Sequence, residues 1–338
     1  MRVELGPDGP LLRRERPHCP AGEHRVRIRV DLAGVCRSDL KEVARERPGP
    51  SQFGHELVGV VRESTLPRAL PTGARVALDP NVPLARTTGF ATEMYAAGPA
   101  ALLITAFPRI PAELPSRQAI FAEPLACAEH CVAALTRHAG RPLRGRRIVV
   151  LGAGAAGLLI ARLAERAGAD VVLANRSPDR AEFLRARGFE VHPIAALPAS
   201  AFAAAVVATS FVRPDVLTAA LGVLVPGGLA LLYGGTAPGD RLPGLACDLD
   251  LIRRAEQAAH TTWAERPVTV AGSYGTTPVD FTAALAALPE LPVERLITAE
   301  IGLPELPAVL RAQVAGRPLG KTLVRPSTPG GPVVGSRS

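Results

Sequence analysis

The sequence is poor in cysteine, in aromatic residues and, for a basic chain, in lysine. Five cysteines (Cys19, Cys36, Cys127, Cys131 and Cys247) in 338 residues are too few and too scattered for a disulfide-stapled secreted scaffold. A reducing, cytoplasmic compartment is the expectation. Aromatic residues make up 4%, which argues against a pocket for a large aromatic molecule. Only Lys41 and Lys321 among the 39 basic residues are lysines. The arginines are dispersed, so the formal charge of +8 does not read as a nucleic-acid surface. No apolar run is both long and unbroken. Residues 193–212 contain Pro193 and Pro198, and residues 216–239 are interrupted by Pro226-Gly227-Gly228, so neither reads as a membrane span. The opening MRVELGPDGPLLRRERP lacks the apolar stretch of a signal peptide.

Apolar residues, by contrast, are plentiful at 47%, with 21% charged, so a sizeable core can form. A prior of about one domain per 150 residues suggests two domains. The first hundred residues alternate short apolar runs with Gly and Pro. Residues 24–35, 55–64 and 74–80 read as strands, and 116–139 as a helical stretch. The pattern then changes. RRIVVLG (146–152) is an apolar strand, AGAAGLLIARLAERAG carries apolar residues at helical spacing, and DVVLANR (170–176) is a second strand. Further candidates at 203–209, 214–224, 228–234 and 267–275 continue the alternation, which implies an α/β Rossmann fold with a doubly wound parallel sheet. The tail after Arg325 has little to place in a core and is expected to fray.

Gly152-Ala153-Gly154-Ala155-Ala156-Gly157 fits G-x-G-x-x-G between a strand and a helix. The glycines allow the tight turn, the approach of a pyrophosphate and close helix–strand packing, and the free N–H groups at Ala155 and Ala156 meet the phosphates. An NAD site usually ends its second strand on an acidic residue. Here the end is Asn175, followed by Arg176 and Ser177, with Arg180 a turn later. A neutral amide, guanidinium groups and a hydroxyl suit a 2′-phosphate, so NADP(H) is expected over NAD(H).

Seven segments carry a resemblance: GVCRSD (34–39), GHELVGVV (54–61), GFATEMY (89–95), EPLACA (123–128), GAGAAG (152–157), PGG (226–228) and GSYG (272–275). In order and spacing the chain, over about residues 20–325, resembles the zinc-dependent alcohol and polyol dehydrogenases of the medium-chain dehydrogenase/reductase superfamily. The resemblance implies a mostly β GroES-like catalytic domain made of residues 1–128 and 273–338, with a Rossmann domain inserted at 129–272. It also implies one catalytic zinc held by Cys36, His55 and Glu123, with Glu56 either a fourth ligand or a neighbour of the bound water. A thiolate, an imidazole and a carboxylate are chemically compatible zinc donors. Asp39 would act behind His55, Ser38 would relay the hydroxyl proton, and Arg37 would reach the cofactor pyrophosphate. A glutamate at the third ligand position is like the polyol branch. The substrate expected is a small polar secondary alcohol or its ketone, of polyol, cyclitol or aminocyclitol type, and the assembly a homodimer or homotetramer.

The chain departs from the family in two places. ALDPNVPLARTTG passes straight to GFATEMY without the four cysteines of a structural zinc, so a shortened lobe and no structural zinc are expected. Lys41 stands where many relatives carry a relay histidine. Two alternatives remain at this stage: a zinc-free enone or quinone reductase of the same superfamily, and a non-catalytic NADP(H)-binding protein. Cys127, one turn after Glu123, reads as core packing or as a substitute ligand.

Overall fold

A computed structural model describes residues 1–15, 17–47, 51–316 and 318–326. The fraying expected of the tail concerns residues 327–338, which lie outside the described residues. The chain divides into two compact units, one of residues 1–123 and 281–338, the other of residues 124–280. Both crossings fall within helices, Ala122–Ala139 and Pro278–Ala287.

The first unit is mostly β. Its central strand, His24–Gly34, alternates as the sequence suggests. Val26, Ile28, Val30 and Leu32 are buried, while Arg25, Arg27 and Arg29 face outward. This strand pairs antiparallel with Glu56–Ser64, with Glu93–Gly98 and with Lys321–Arg325, so it collects segments from both ends of the chain onto one sheet. Arg27 is ion-paired across the strands to Glu93 and Glu63, which helps fix the register on the solvent face. Phe53 and Phe90 meet edge-on beneath the sheet, 4.9 Å between ring centres, inside a core that includes Val61, Val76 and Met94.

The second unit is a seven-stranded sheet. From one edge its strands are His192–Pro193, Asp170–Asn175, Arg147–Leu151, Phe202–Val207, Leu224–Leu232, Arg266–Gly272 and Ala258–Trp263. The first six run parallel, with Ala155–Arg166, Pro178–Arg185 and Pro214–Val223 among the connecting helices. Strand Arg147–Leu151 is buried on both faces after its first residue, and for that reason reads as continuous apolar sequence.

Three local expectations need correction. The sheet is not wholly parallel, because Ala258–Trp263 forms an antiparallel hairpin with Arg266–Gly272. The stretch 116–139 is two helices, Ser116–Ala119 and Ala122–Ala139, rather than one. Pro226-Gly227-Gly228 does not precede its strand but lies within Leu224–Leu232. Gly227, at φ +75°, supplies the irregular turn of backbone that a side chain would resist.

Candidate functional site

Two sites take shape, one in each unit. In the first, Cys36 follows the central strand and caps the helix Arg37–Val43. Its backbone N–H donates to Asp39 Oδ2 at 2.8 Å. The other oxygen of the same carboxylate accepts the Gly54 N–H at 2.9 Å. Asp39 is fully buried and so ties together the backbones on which Cys36 and His55 stand. Gly54 sits at φ +68°, and a Cβ there would lie 2.7 Å from the Phe90 nitrogen and the Thr88 hydroxyl. Only glycine can make that approach just before His55.

His55 is oriented from behind. Its Nδ1 lies 3.0 Å from the Gln52 carbonyl and 3.5 Å from Asp39 Oδ1. A proton on Nδ1, donated to Gln52, leaves the Nε2 lone pair for a ligand. Nε2 is 3.3 Å from the Ser38 hydroxyl. Donor atoms of Cys36, His55 and Glu56 all lie within 4.8 Å of one another. Burial opposes charge on the imidazole, but Asp39 and Cys36 beside it outweigh that and hold its pKa well above the usual value.

The structure adds a residue that motif reading passed over. Lys321 Nζ lies 2.6 Å and 2.7 Å from the two oxygens of Glu56, and both side chains are buried. Desolvation works against this ammonium, yet Glu56, Cys36 and Glu123 together keep its pKa above that of an ordinary lysine. Glu123 is buried in the first turn of its helix. It is not a member of the three-residue cluster, and Cys127 is half-buried one turn further on. Arg37 is exposed at the start of its helix and Lys41 half-buried near its end.

The donor set fits a zinc ion. Cys36, His55 and Glu56 offer sulfur, nitrogen and oxygen within 4.8 Å of one another, the donor types that zinc accepts.

In the second unit the strand Arg147–Leu151 runs into Gly152, and the helix Ala155–Arg166 starts directly after Gly154. A Cβ at Gly157 would lie 1.8 Å from the Gly152 carbonyl oxygen, which makes that glycine obligatory. A Cβ at Gly154 would meet nothing within 4 Å. Space is therefore open where the first helical N–H groups, those of Ala155 and Ala156, come free, as a pyrophosphate requires. Asn175 braces this turn. Its Oδ1 accepts the Ala153 N–H at 3.1 Å and its Nδ2 donates to the Ser177 carbonyl at 3.1 Å. Arg176 is exposed and ion-paired to Asp215. Ser177 caps the helix Pro178–Arg185 without a side-chain bond to it, and Arg180 is half-buried within that helix.

A family model for the alcohol dehydrogenase GroES-like domain matches residues 22–136. A second, for ketopantoate reductase PanE/ApbA, matches residues 148–211. The fold as a whole is like that of galactitol-1-phosphate dehydrogenase from Escherichia coli. The two are 20% identical with a TM-score of 0.72, over 96% of this chain and 99% of that one. Residues 22–136 thus resemble an alcohol dehydrogenase GroES-like domain, and the likeness over the whole chain is one of fold. Other relatives include an uncharacterized zinc-type alcohol dehydrogenase-like protein of Haemophilus influenzae. It is 30% identical over 202 residues, covering 52% of this chain and 56% of the relative. Sorbitol dehydrogenase of Halalkalibacterium halodurans is 27% identical over 193 residues, covering 51% and 55%. The chain thus spans about half the length of the curated relatives it matches. Among the described residues, no helix is long and apolar enough to cross a membrane.

Proposed function

We propose that this protein is a zinc-dependent, NADP(H)-preferring dehydrogenase that interconverts a secondary alcohol and a ketone on a polyol, cyclitol or aminocyclitol. The observation that carries the reading is the convergence of Cys36, His55 and Glu56 within 4.8 Å, braced from behind by Asp39. Cys36, His55 and Glu123 would hold the metal, with Glu56 beside them. When bound, zinc supplies Lewis acidity toward an alcohol hydroxyl, and the nicotinamide takes up or returns the hydride.

The chain's own residues do the rest. Asp39 keeps the Cys36 and His55 segments in register. The Gln52 carbonyl holds the Nδ1 proton of His55, so that the ring presents Nε2 forward. Ser38 receives the substrate's hydroxyl proton and passes it on, which suits a hydroxyl standing beside His55 Nε2. Lys321 pairs with the Glu56 carboxylate, so that neither group is left alone in the interior. Ala155 and Ala156 offer backbone N–H groups to the cofactor pyrophosphate. Arg176, with Ser177 and Arg180 nearby in sequence, receives the 2′-phosphate.

The polar substrate class is supported by the carboxylate-rich donor set and by the shortage of aromatic side chains. The test is metal analysis together with an NADP⁺ reduction screen of zinc-loaded protein against polyols, cyclitols and amino derivatives. One catalytic equivalent of zinc, lost in Cys36→Ser and His55→Ala together with turnover, is the expected result. Metal-free protein that instead oxidises NADPH with an enone or quinone, in both variants as in wild type, would favour the zinc-free reductase. Equal or better kcat/KM with NAD⁺ would refute the cofactor preference.

A further inference from the structure

The 2′-phosphate site proposed above contains a residue that the motif does not announce. Arg176 follows directly on the strand Asp170–Asn175, and its guanidinium Nη1 is bonded to the carboxylate of Asp215. Asp215 is the second residue of the helix Pro214–Val223. That helix follows the strand Phe202–Val207, which pairs with Arg147–Leu151 on the side opposite Asp170–Asn175. Two βα connections, whose strands flank Arg147–Leu151, thus bring a cation and an anion together. Both side chains are about half exposed, at 54% and 53%, so an incoming ligand can reach them. Asn175 takes no part in this contest, because its amide is committed to the Ala153 N–H and the Ser177 carbonyl.

We propose that Asp215 sets the margin of cofactor preference by competing with the adenosine 2′-phosphate for the Arg176 guanidinium. The inference rests on the dinucleotide reading of the preceding section. Without a phosphate, Arg176 is paired with Asp215. A 2′-phosphate must either draw Arg176 away, breaking that bond, or share it, which sets a carboxylate beside a phosphate of like charge. A ribose with a free 2′-hydroxyl meets neither cost. Asp215 therefore weakens NADP(H) selectively and leaves NAD(H) unaffected, acting as a positioning residue through Arg176. An exposed pair of this kind is worth up to about 1 kcal/mol, or about fivefold in affinity.

The test compares dissociation constants for NADP⁺ and NAD⁺ in the zinc-loaded full chain, with KM and kcat for both. Titration with 2′,5′-ADP against 5′-AMP isolates the contribution of the 2′-phosphate. Asp215→Asn is expected to tighten NADP⁺ and 2′,5′-ADP by about two- to fivefold, to lower KM for NADP⁺ and to leave kcat and NAD⁺ affinity alone. In an Arg176→Ala background the same substitution is expected to have no effect. An unchanged NADP⁺/NAD⁺ ratio in Asp215→Asn overturns the inference. So does a gain of the same size without Arg176, which would mean direct repulsion of the phosphate. If wild-type protein binds neither dinucleotide nor 2′,5′-ADP, the cofactor reading itself falls, and the inference falls with it.

Discussion

Lys321 and Glu56 lie 265 positions apart in sequence, and both are buried and paired to each other. Removing one member of such a pair leaves an uncompensated charge in the interior. Lys321→Met should therefore cost about 3–5 kcal/mol of stability, read as a drop in the denaturant midpoint. The double variant Lys321→Met/Glu56→Gln should recover much of that loss. If the single variant unfolds no more easily than wild type, the ion pair has no structural weight. At the glycine turn, two substitutions that look alike on paper should behave differently. Gly157→Ala drives a Cβ into the Gly152 carbonyl and should lower the melting temperature. Gly154→Ala meets open space, so its stability should stay within about 0.5 kcal/mol of wild type. It should still weaken dinucleotide binding, because the new methyl group occupies the phosphate approach. Thermal melting with and without NADP⁺ separates the two effects.

Among the elements, the short helix Leu249–Arg254 shows how a connection is held and how pH acts on it. Asp250 accepts a hydrogen bond from the Thr236 hydroxyl at 2.7 Å and from Arg254 Nε at 3.0 Å. Burial would push the Asp250 carboxyl up, but these two partners outweigh it and hold its pKa below the usual value. A carboxyl depressed on folding adds stability that is present above the unfolded pKa of about 3.9. That stability is lost as pH falls through the folded value. Thr236→Val should therefore be less stable than wild type at neutral pH, with the gap narrowing as pH drops below about 4. Unfolding free energies measured across that range check the sign. A gap that widens in acid would contradict it. Arg254 is nearly half exposed, so its share is screened by solvent and the hydroxyl bond dominates the expected difference.

For the whole molecule, the proposed ligands belong to different units. Cys36, His55, Glu56 and Glu123 fall in the unit formed by residues 1–123 and 281–338, and the glycine turn falls in residues 124–280. A ligand that binds only the folded form, at 100 times its Kd, adds about 2.7 kcal/mol. Hydrogen exchange should consequently show zinc protecting the strand Glu56–Ser64 and the helix Arg37–Val43 first. NADP⁺ should first protect Arg147–Leu151 and Ala155–Arg166. Chelation should lower the first unit's melting and leave the dinucleotide-dependent protection in place. Protection of the glycine turn by zinc alone would mean that the two sites have been assigned wrongly.

Local chemistry made part of this protein legible in one dimension. The apolar strand ahead of GAGAAG, the helical spacing behind it and the alternation of 24–34 each follow from interactions within a few residues. Cys36 and His55 were nameable as candidate ligands because each stands in a short motif with a glycine that close packing requires, Gly34 against Glu56 and Gly54 against Phe90. Tertiary structure decided what depends on pairing between distant segments. Strand Lys321–Arg325 returns to the sheet beside the Cys36 segment and carries the ammonium to Glu56, although a lone lysine near the C-terminus has no pattern to mark it. Ala258–Trp263 became an antiparallel edge because its partner strand offered a free row of backbone groups, a property of the sheet and not of the segment. Asn175 was spent on the Ala153 backbone, and Asp215 was brought to Arg176, for the same reason: a hydrogen bond or ion pair forms wherever folding leaves two groups in reach.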